Sequence, residues 1–293
     1  MAQRRVGPDG AEPTVPSPSS AGRVDGRPLV VAHRGASFDI PEHTLAAYRQ
    51  ALADGAEALE CDVRMTRDGH LVCVHDRRLE RTSDGRGVVS TKRLDQLQSL
   101  DWGSWKNPWA DLDDEADLPD DSLRTLLTLR DLLRLVRDHP RPVELLIETK
   151  HPTRYSGLIE QRLVELLDRL GWSAPGSGKP VAPVRVISYS QLSLRRVRRW
   201  APWVPLALVV ADVPQRLRRG ELPKGVDDVA AACDLVRKDP DWVRRLHANG
   251  HGVYVWTVND PDDMRLCREL GVEAVITDRP GLARKILEGE AAD

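Results

Sequence analysis

The sequence predicts an α/β fold: a (β/α)8 TIM barrel with a β-hairpin excursion and one acidic, Trp-rich surface insertion. Three observations carry that prediction. Short β-branched runs alternate with stretches of helical apolar spacing from Pro28 onward, the pattern of a parallel sheet covered by helices. Nine strand candidates can be placed, one more than an eight-stranded barrel needs. The extra one, 70–75, follows its predecessor after only Arg-Met-Thr-Arg-Asp-Gly, too short a link for a parallel crossover.

The strand candidates are 29–33, 57–63, 70–75, 143–149, 184–189, 206–210, 229–235, 253–258 and 273–277. Helices are expected over 41–53, 122–138, 154–170, 190–200, 239–249 and 260–270. Thr44 to Leu52 and Met264 to Leu270 carry the apolar repeat of an amphipathic helix. Asp68-Gly69 is a hairpin-turn dipeptide, so 57–66 and 70–75 are expected to pair antiparallel. A turn on Arg67-Asp68 would set His75 across from Glu60; a turn on Asp68-Gly69 would set it across from Asp62. Either register brings His75 within about 5 Å of an acid, backbone to backbone.

Residues 1–27 are rich in Pro, Gly, Ser and charge and are expected to form a disordered tail. One domain over 28–290 remains. Residues 100–121 interrupt the rhythm with Trp102, Trp105, Trp109 and a dense run of acids. They read as a surface insertion at the loop-bearing end of the barrel, either a solvated acidic loop with Trp anchors or a substrate-selecting flap. The 43 basic and 45 acidic residues leave a net charge of -2, which argues against a nucleic-acid-coating protein. Cys61, Cys73, Cys233 and Cys267 form no CxxC pair, and a reducing, cytoplasmic setting is the simpler expectation. No apolar run is long enough for a transmembrane helix, and the N-terminus lacks the apolar core of a secretory signal.

In this fold, chemistry gathers at the C-terminal strand ends. Those ends read His33-Arg34, Glu60 and Asp62, Glu148 and Lys150, then Ser188, Trp256 with Thr257 and Asn259, and Asp278. Glu60 and Asp62 share one face of their strand, where two like charges repel unless a cation lies between them. With Glu148 they make three oxygen ligands, a set suited to one divalent cation, Mg2+ or Ca2+. The other reading of these acids is salt bridging to Arg34, Arg64 and Lys150. His33 and His75 end apolar runs and converge on the acids, as acid–base chemistry near neutrality would require. Arg34 and Lys150 could hold a phosphate and stabilise the charge of a phosphoryl transition state. Trp256 is either barrel packing or an aromatic wall for the substrate. The motifs of nucleotide cofactors are absent.

The stretches "AHRGAS", "PEHTLAAYRQALADGAEALECDVRMTRDGHLVCVHD", "IETK", "YVWTVND" and "AVITDRP", in that order and spacing, resemble the glycerophosphodiester phosphodiesterases. The resemblance runs from about Pro28 to Leu287. It implies His33 and His75 as the general acid–base pair, Glu60, Asp62 and Glu148 as metal ligands, and Arg34 and Lys150 as phosphate contacts. The implied reaction converts a small-molecule glycerophosphodiester to glycerol 3-phosphate and an alcohol, either through a cyclic phosphate or by direct attack of water. Two neighbouring readings are a lysophospholipase D and a non-catalytic phospholigand-binding barrel. One letter departs from the family. Its usual "PENT" reads Pro41-Glu42-His43-Thr44, so Thr44 is expected to cap the first helix, and His43 either has a local structural effect or adds an imidazole near the metal.

Overall fold

Side chains alternate along a strand, so in a closed barrel every second residue points into the lumen. The computed structural model describes residues 23–24, 26–106, 121–172 and 183–289. The strands are β1 (Arg23–Val24), β2 (Arg27–His33), β3 (Ala58–Met65), β4 (Leu71–Cys73), β5 (Glu144–Thr149), β6 (Val184–Ser188), β7 (Leu206–Val210), β8 (Asp228–Ala232), β9 (Val253–Trp256) and β10 (Ala274–Thr277). Strands β2, β3 and β5 to β10 pair in parallel around a closed ring, with β10 returning to β2. Two strands stand outside the ring: β1 pairs antiparallel with β2, and β4 with β3. This is the expected eight-stranded (β/α)8 barrel with its hairpin.

The helices are α1 (Leu45–Ala53), α2 (Leu94–Gln98), α3 (Leu129–Asp138), α4 (Leu158–Arg169), α5 (Gln191–Trp200), α6 (Cys233–Lys238), α7 (Pro240–Ala248), α8 (Pro261–Leu270) and α9 (Pro280–Glu288). Their apolar faces cover the outward residues of the strands. Leu59, Cys61, Leu145, Ile147, Val186 and Val255 lie there, buried against Tyr48, Leu132, Leu163, Leu194 and Cys267. The inward residues Leu29, Val31, Ala58, Leu146, Ile187, Val209, Tyr254 and Ile276 fill the lumen as a second core. At the lower end of the barrel Arg185 is sandwiched between Asp228 and Glu144, with its guanidinium 4.7 Å from the Tyr254 ring centre. The barrel is therefore solid below, and polar residues on the next inward level above the apolar layer can face outward only at the top.

Residues 23–24 and Arg27, within the expected tail, lie in strands, and three further local expectations differ from the structure. The hairpin takes neither expected register. Val63 lies opposite Cys73 and Met65 opposite Leu71, which puts His75 beyond the end of β4, level with Cys61. The cause is a three-residue loop, Arg67 to Gly69, closed by Thr66 N–H donating to His70 O at 2.9 Å. Gly69 at φ +86° supplies the left-handed residue that such a loop requires. The expected 122–138 helix starts late: a short 3-10 turn over Asp121–Leu123 precedes α3, whose N-cap is the Thr128 side chain. The run 229–235 divides between β8 and α6, because Cys233 begins a helix. In the Trp-rich segment, Trp102 is buried with its indole N–H donating to Leu97 O, and Trp105 donates to Trp102 O. Trp109 and the acids of 107–120 lie outside the described residues.

The turn that follows β2 depends on Gly35. Its φ is +91°, and a Cβ there would stand 2.6 Å from the backbone carbon of Ala47 in α1. Gly35→Ala is expected to cost at least about 2 kcal/mol, combining backbone strain with a clash that backbone cannot relieve. Urea unfolding of the two proteins side by side measures it, and an unchanged midpoint would contradict this packing.

Candidate active site

The upper rim collects every predicted site residue in one place. Strand β2 ends in His33, β3 carries Glu60 and Asp62, β5 carries Glu148, and β9 ends in Trp256. Lys150 follows β5, and His75 follows the hairpin. A pocket of about 70 Å³ is lined by His33, Arg34, Glu60, His75, Glu148 and Lys150, with Tyr189 and Trp256 on its apolar side. Asp62 sits behind this lining, 1 % exposed. Trp256 meets Tyr189 edge-on at 6.1 Å, and its indole N–H donates to Ala230 O. The ring is thus anchored in the barrel wall while it borders the pocket. Ser188 does not join the site; its hydroxyl donates to Thr149 O on the buried side.

The three acids offer ligand atoms that all lie within 4.8 Å of one another. Burial and the neighbouring Asp62 push Glu60 well above the usual carboxylate range. Burial and Asp62 also raise Glu148, to about 7. Asp62 itself goes the other way. Burial opposes its ionisation, but Arg34 and Lys150 outweigh that and hold it well below its ordinary value. Lys150 Nζ stands 2.8 Å from both Asp62 Oδ1 and Glu148 Oε1. Arg34 Nε lies 2.9 Å from Asp62 Oδ2 but is not aligned for a hydrogen bond, so this buried donor is unsatisfied. Arg64, in contrast, pairs with none of the three acids: its Nε and Nη2 donate to His75 O.

Each imidazole is aimed by a carboxylate. His33 Nδ1 lies 2.7 Å from Asp278 Oδ1, and His75 Nδ1 lies 2.6 Å from Asp76 Oδ1. Ser37 and Asn259 donate to Asp278 as well. Burial pushes the Asp278 carboxyl up, but its bonds with His33, Asn259 and Ser37 bring it to about 2. Burial lowers His75 to about 4, Arg34 and Lys150 reinforcing the shift against the pull of Asp62 and Asp76. The ring is therefore neutral near pH 7, and with Nδ1–H donating to Asp76 its Nε2 is a proton acceptor.

A second layer binds these parts together. Arg81 donates to both Glu42 and Asp76, and Arg34 Nη1 donates to Glu42 at 3.0 Å. His43, the departure from the family pattern, is buried with φ +62°. Thr44 takes the N-cap of α1, as expected. The His43 ring turns inward, with Nε2 3.0 Å from Asp62 Oδ2 and Nδ1 2.8 Å from the Tyr48 hydroxyl. Burial lowers its proton affinity. The neutral ring donates from Nε2 to Asp62, and the Tyr48 hydroxyl proton is shared between Nδ1 and Glu60 O.

The orienting residues were the part that sequence reasoning missed. Asp278 was visible as a polar strand end, but nothing local pointed to His33, 245 positions away. Asp76, Glu42 and Arg81 carry no spacing pattern. The only signal for Asp76 and Glu42 was their adjacency to His75 and His43.

Residues 33–282 match the Glycerophosphoryl diester phosphodiesterase family. A probable glycerophosphodiester phosphodiesterase 1 from Mycobacterium tuberculosis is 44% identical over 268 residues, covering 92% of this chain and 95% of its own. A glycerophosphodiester phosphodiesterase from Bacillus subtilis is 33% identical, covering 90% and 87%. Among solved structures, an Oleispira antarctica phosphodiesterase in complex with the product sn-glycerol-3-phosphate superposes with a TM-score of 0.73. It is 25% identical and covers 90% of this chain and 98% of its own.

The Glu42 cluster makes a prediction about pH. Burial pushes Glu42 up, yet Arg81 and Arg34 bring its pKa down to about 2 from the usual 4.5. A carboxyl depressed on folding adds stability above its unfolded pKa and loses it as pH falls through the folded one. Wild type is therefore expected to exceed Glu42→Gln by about 2 kcal/mol at pH 6. The gap should shrink steadily between pH 4.5 and about 2. Denaturant titrations across that range check it; a gap independent of pH would contradict the pairing.

Proposed function

The chain belongs to the glycerophosphoryl diester phosphodiesterase family, and from that premise we propose that His33 and His75 hydrolyse the diester at a divalent-cation site. The products are glycerol 3-phosphate and an alcohol. One observation supports this above the rest: two imidazoles, each fixed by its own carboxylate, border the same small pocket as a buried acid cluster.

The acid cluster fits a metal by its chemistry. Its donors are three hard carboxylate oxygens, and two of the three acids resist ionisation even beside Arg34 and Lys150. Glu60, Asp62 and Glu148 would hold the ion. Bound there, Mg2+ or Ca2+ would polarise the phosphoryl oxygens and offset their developing charge. The chain's own residues do the remainder. Arg34 and Lys150 border the pocket and present cations to the other phosphate oxygens. Trp256 and Tyr189 form an apolar wall for the substrate's carbon skeleton. With Nδ1 engaged by Asp278 or Asp76, each histidine keeps Nε2 for the reaction. One imidazole takes the proton of the attacking hydroxyl or water, and the other returns a proton to the departing oxygen. The four cysteines are free and buried, which supports a reducing, cytoplasmic setting. Among the described residues no helix is long and apolar enough to cross a membrane.

His33→Ala and His75→Ala are each expected to lower kcat on a glycerophosphodiester by about a hundredfold or more, while circular dichroism stays unchanged. Near-wild-type turnover in both would remove the acid–base assignment. Exhaustive chelation should abolish release of glycerol 3-phosphate, and Mg2+ or Ca2+ should restore it. Full activity after chelation would take the metal out of the reaction.

A further inference from the structure

Lys150 also borders a second cavity, beside the first. This cleft has a volume of about 370 Å³ and runs between residues 88–91 and 152–155. The hydroxyl of Tyr155 donates to Ser90 O across it and ties the two walls together. Four cations line it, Arg64, Arg77, Lys150 and Arg154, and among the described residues no acid does.

That imbalance sets it apart from the other arginine-rich grooves described. The groove at Arg134 and Arg162 includes Asp131 and Glu165, which pair with them. The groove at Arg27 and Arg284 includes Glu57 and Glu288, which do the same. In the Lys150 cleft, Arg64, Arg77 and Arg154 make no ion pair among the described residues, and Arg77 and Arg154 are exposed. Clustered cations repel one another, and an anionic ligand would relieve that repulsion. Guanidinium forks match phosphate geometry.

Lys150 stands in both cavities, so an anion in the cleft can belong to the same molecule whose scissile phosphate lies in the pocket. Resting on the hydrolase reading above, we propose that the cleft is a second anion subsite that takes a phosphate carried by the substrate's alcohol. The preferred substrates are then soluble glycerophosphodiesters whose alcohol is itself phosphorylated. Arg64 also fixes the backbone of His75 through its bonds to His75 O, so the cleft and one imidazole share a wall.

The test compares glycerophosphoglycerol with the same compound bearing a terminal phosphate, using the full chain with divalent cation. The phosphorylated substrate is expected to show a KM about tenfold lower, an advantage that shrinks as salt rises. Arg77→Ala with Arg154→Ala should erase that advantage and leave turnover of glycerophosphoglycerol within about twofold of wild type. Equal KM values in wild type, or an advantage that survives the double substitution, would overturn the subsite. So would equal losses on both substrates. If wild type cleaves neither compound, the hydrolase reading fails by itself. Calorimetry then decides the subsite: tighter binding of the phosphorylated compound to wild type, lost in the double variant, supports it, and equal binding overturns it.

Discussion

Asp62 is an ionised carboxylate with almost no access to water, and the rim is arranged around keeping it so. A buried charge left unpaired costs several kcal/mol, so its partners must arrive reliably. They come from three segments: Arg34 from the end of β2, His43 from the loop before α1, and Lys150 from the end of β5. Strands β2 and β5 are the two neighbours of β3 in the barrel, so ordinary strand pairing delivers two of the partners. The third requires an unusual backbone. Arg34 and His43 both adopt left-handed φ values, +59° and +62°, and His43 N–H donates to Arg34 O. Side chains rarely tolerate that region, and the contacts with Asp62 and Glu42 are what offset it here.

The same economy extends to the imidazoles. Arg81 joins Glu42 to Asp76, so the guanidinium beside Asp62 and the ring of His75 belong to one chain of charge-assisted bonds. His33 is oriented from the opposite side, by Asp278 at the end of β10, which Asn259 and Ser37 steady. Two independent frameworks thus point two rings at one pocket. Geometry held this way suits the proton transfer proposed for them, because a ring free to rotate would spend little time within reach of a bound substrate. Lys106 adds a tether from the Trp-rich segment, donating to Ser37 O beside the His33 framework.

Much of this was legible in the sequence, for a definite reason. Apolar strands that end in His, Glu, Asp and Lys announce both the barrel and its acid-bearing rim, since the apolar lumen admits such residues only at its two ends and the C-terminal strand ends mark the upper one. The rest depends on contacts that no local pattern encodes. Asp278 and His33 meet only because the barrel closes, and the Glu42–Arg81–Asp76 chain joins a loop before α1 to a loop after the hairpin. The hairpin register turned on whether Gly69 occupies the last place of a three-residue loop or the second place of a two-residue one; both use a glycine. The late start of α3 reflects Thr128, which caps the helix and leaves the preceding leucines to pack outside it.

The three-residue hairpin loop has a consequence for how this chain can vary. Parity along a strand is two, so pairing Met65 with a residue one place from Leu71 would turn every following side chain to the opposite face. Val74 would exchange places with its neighbours, and the imidazole at 75 would point into the packing between hairpin and helices. Two places would restore the face but displace the ring by a full pleat. An insertion in this short surface loop is harmless only where the loop itself absorbs it and Met65 still faces Leu71.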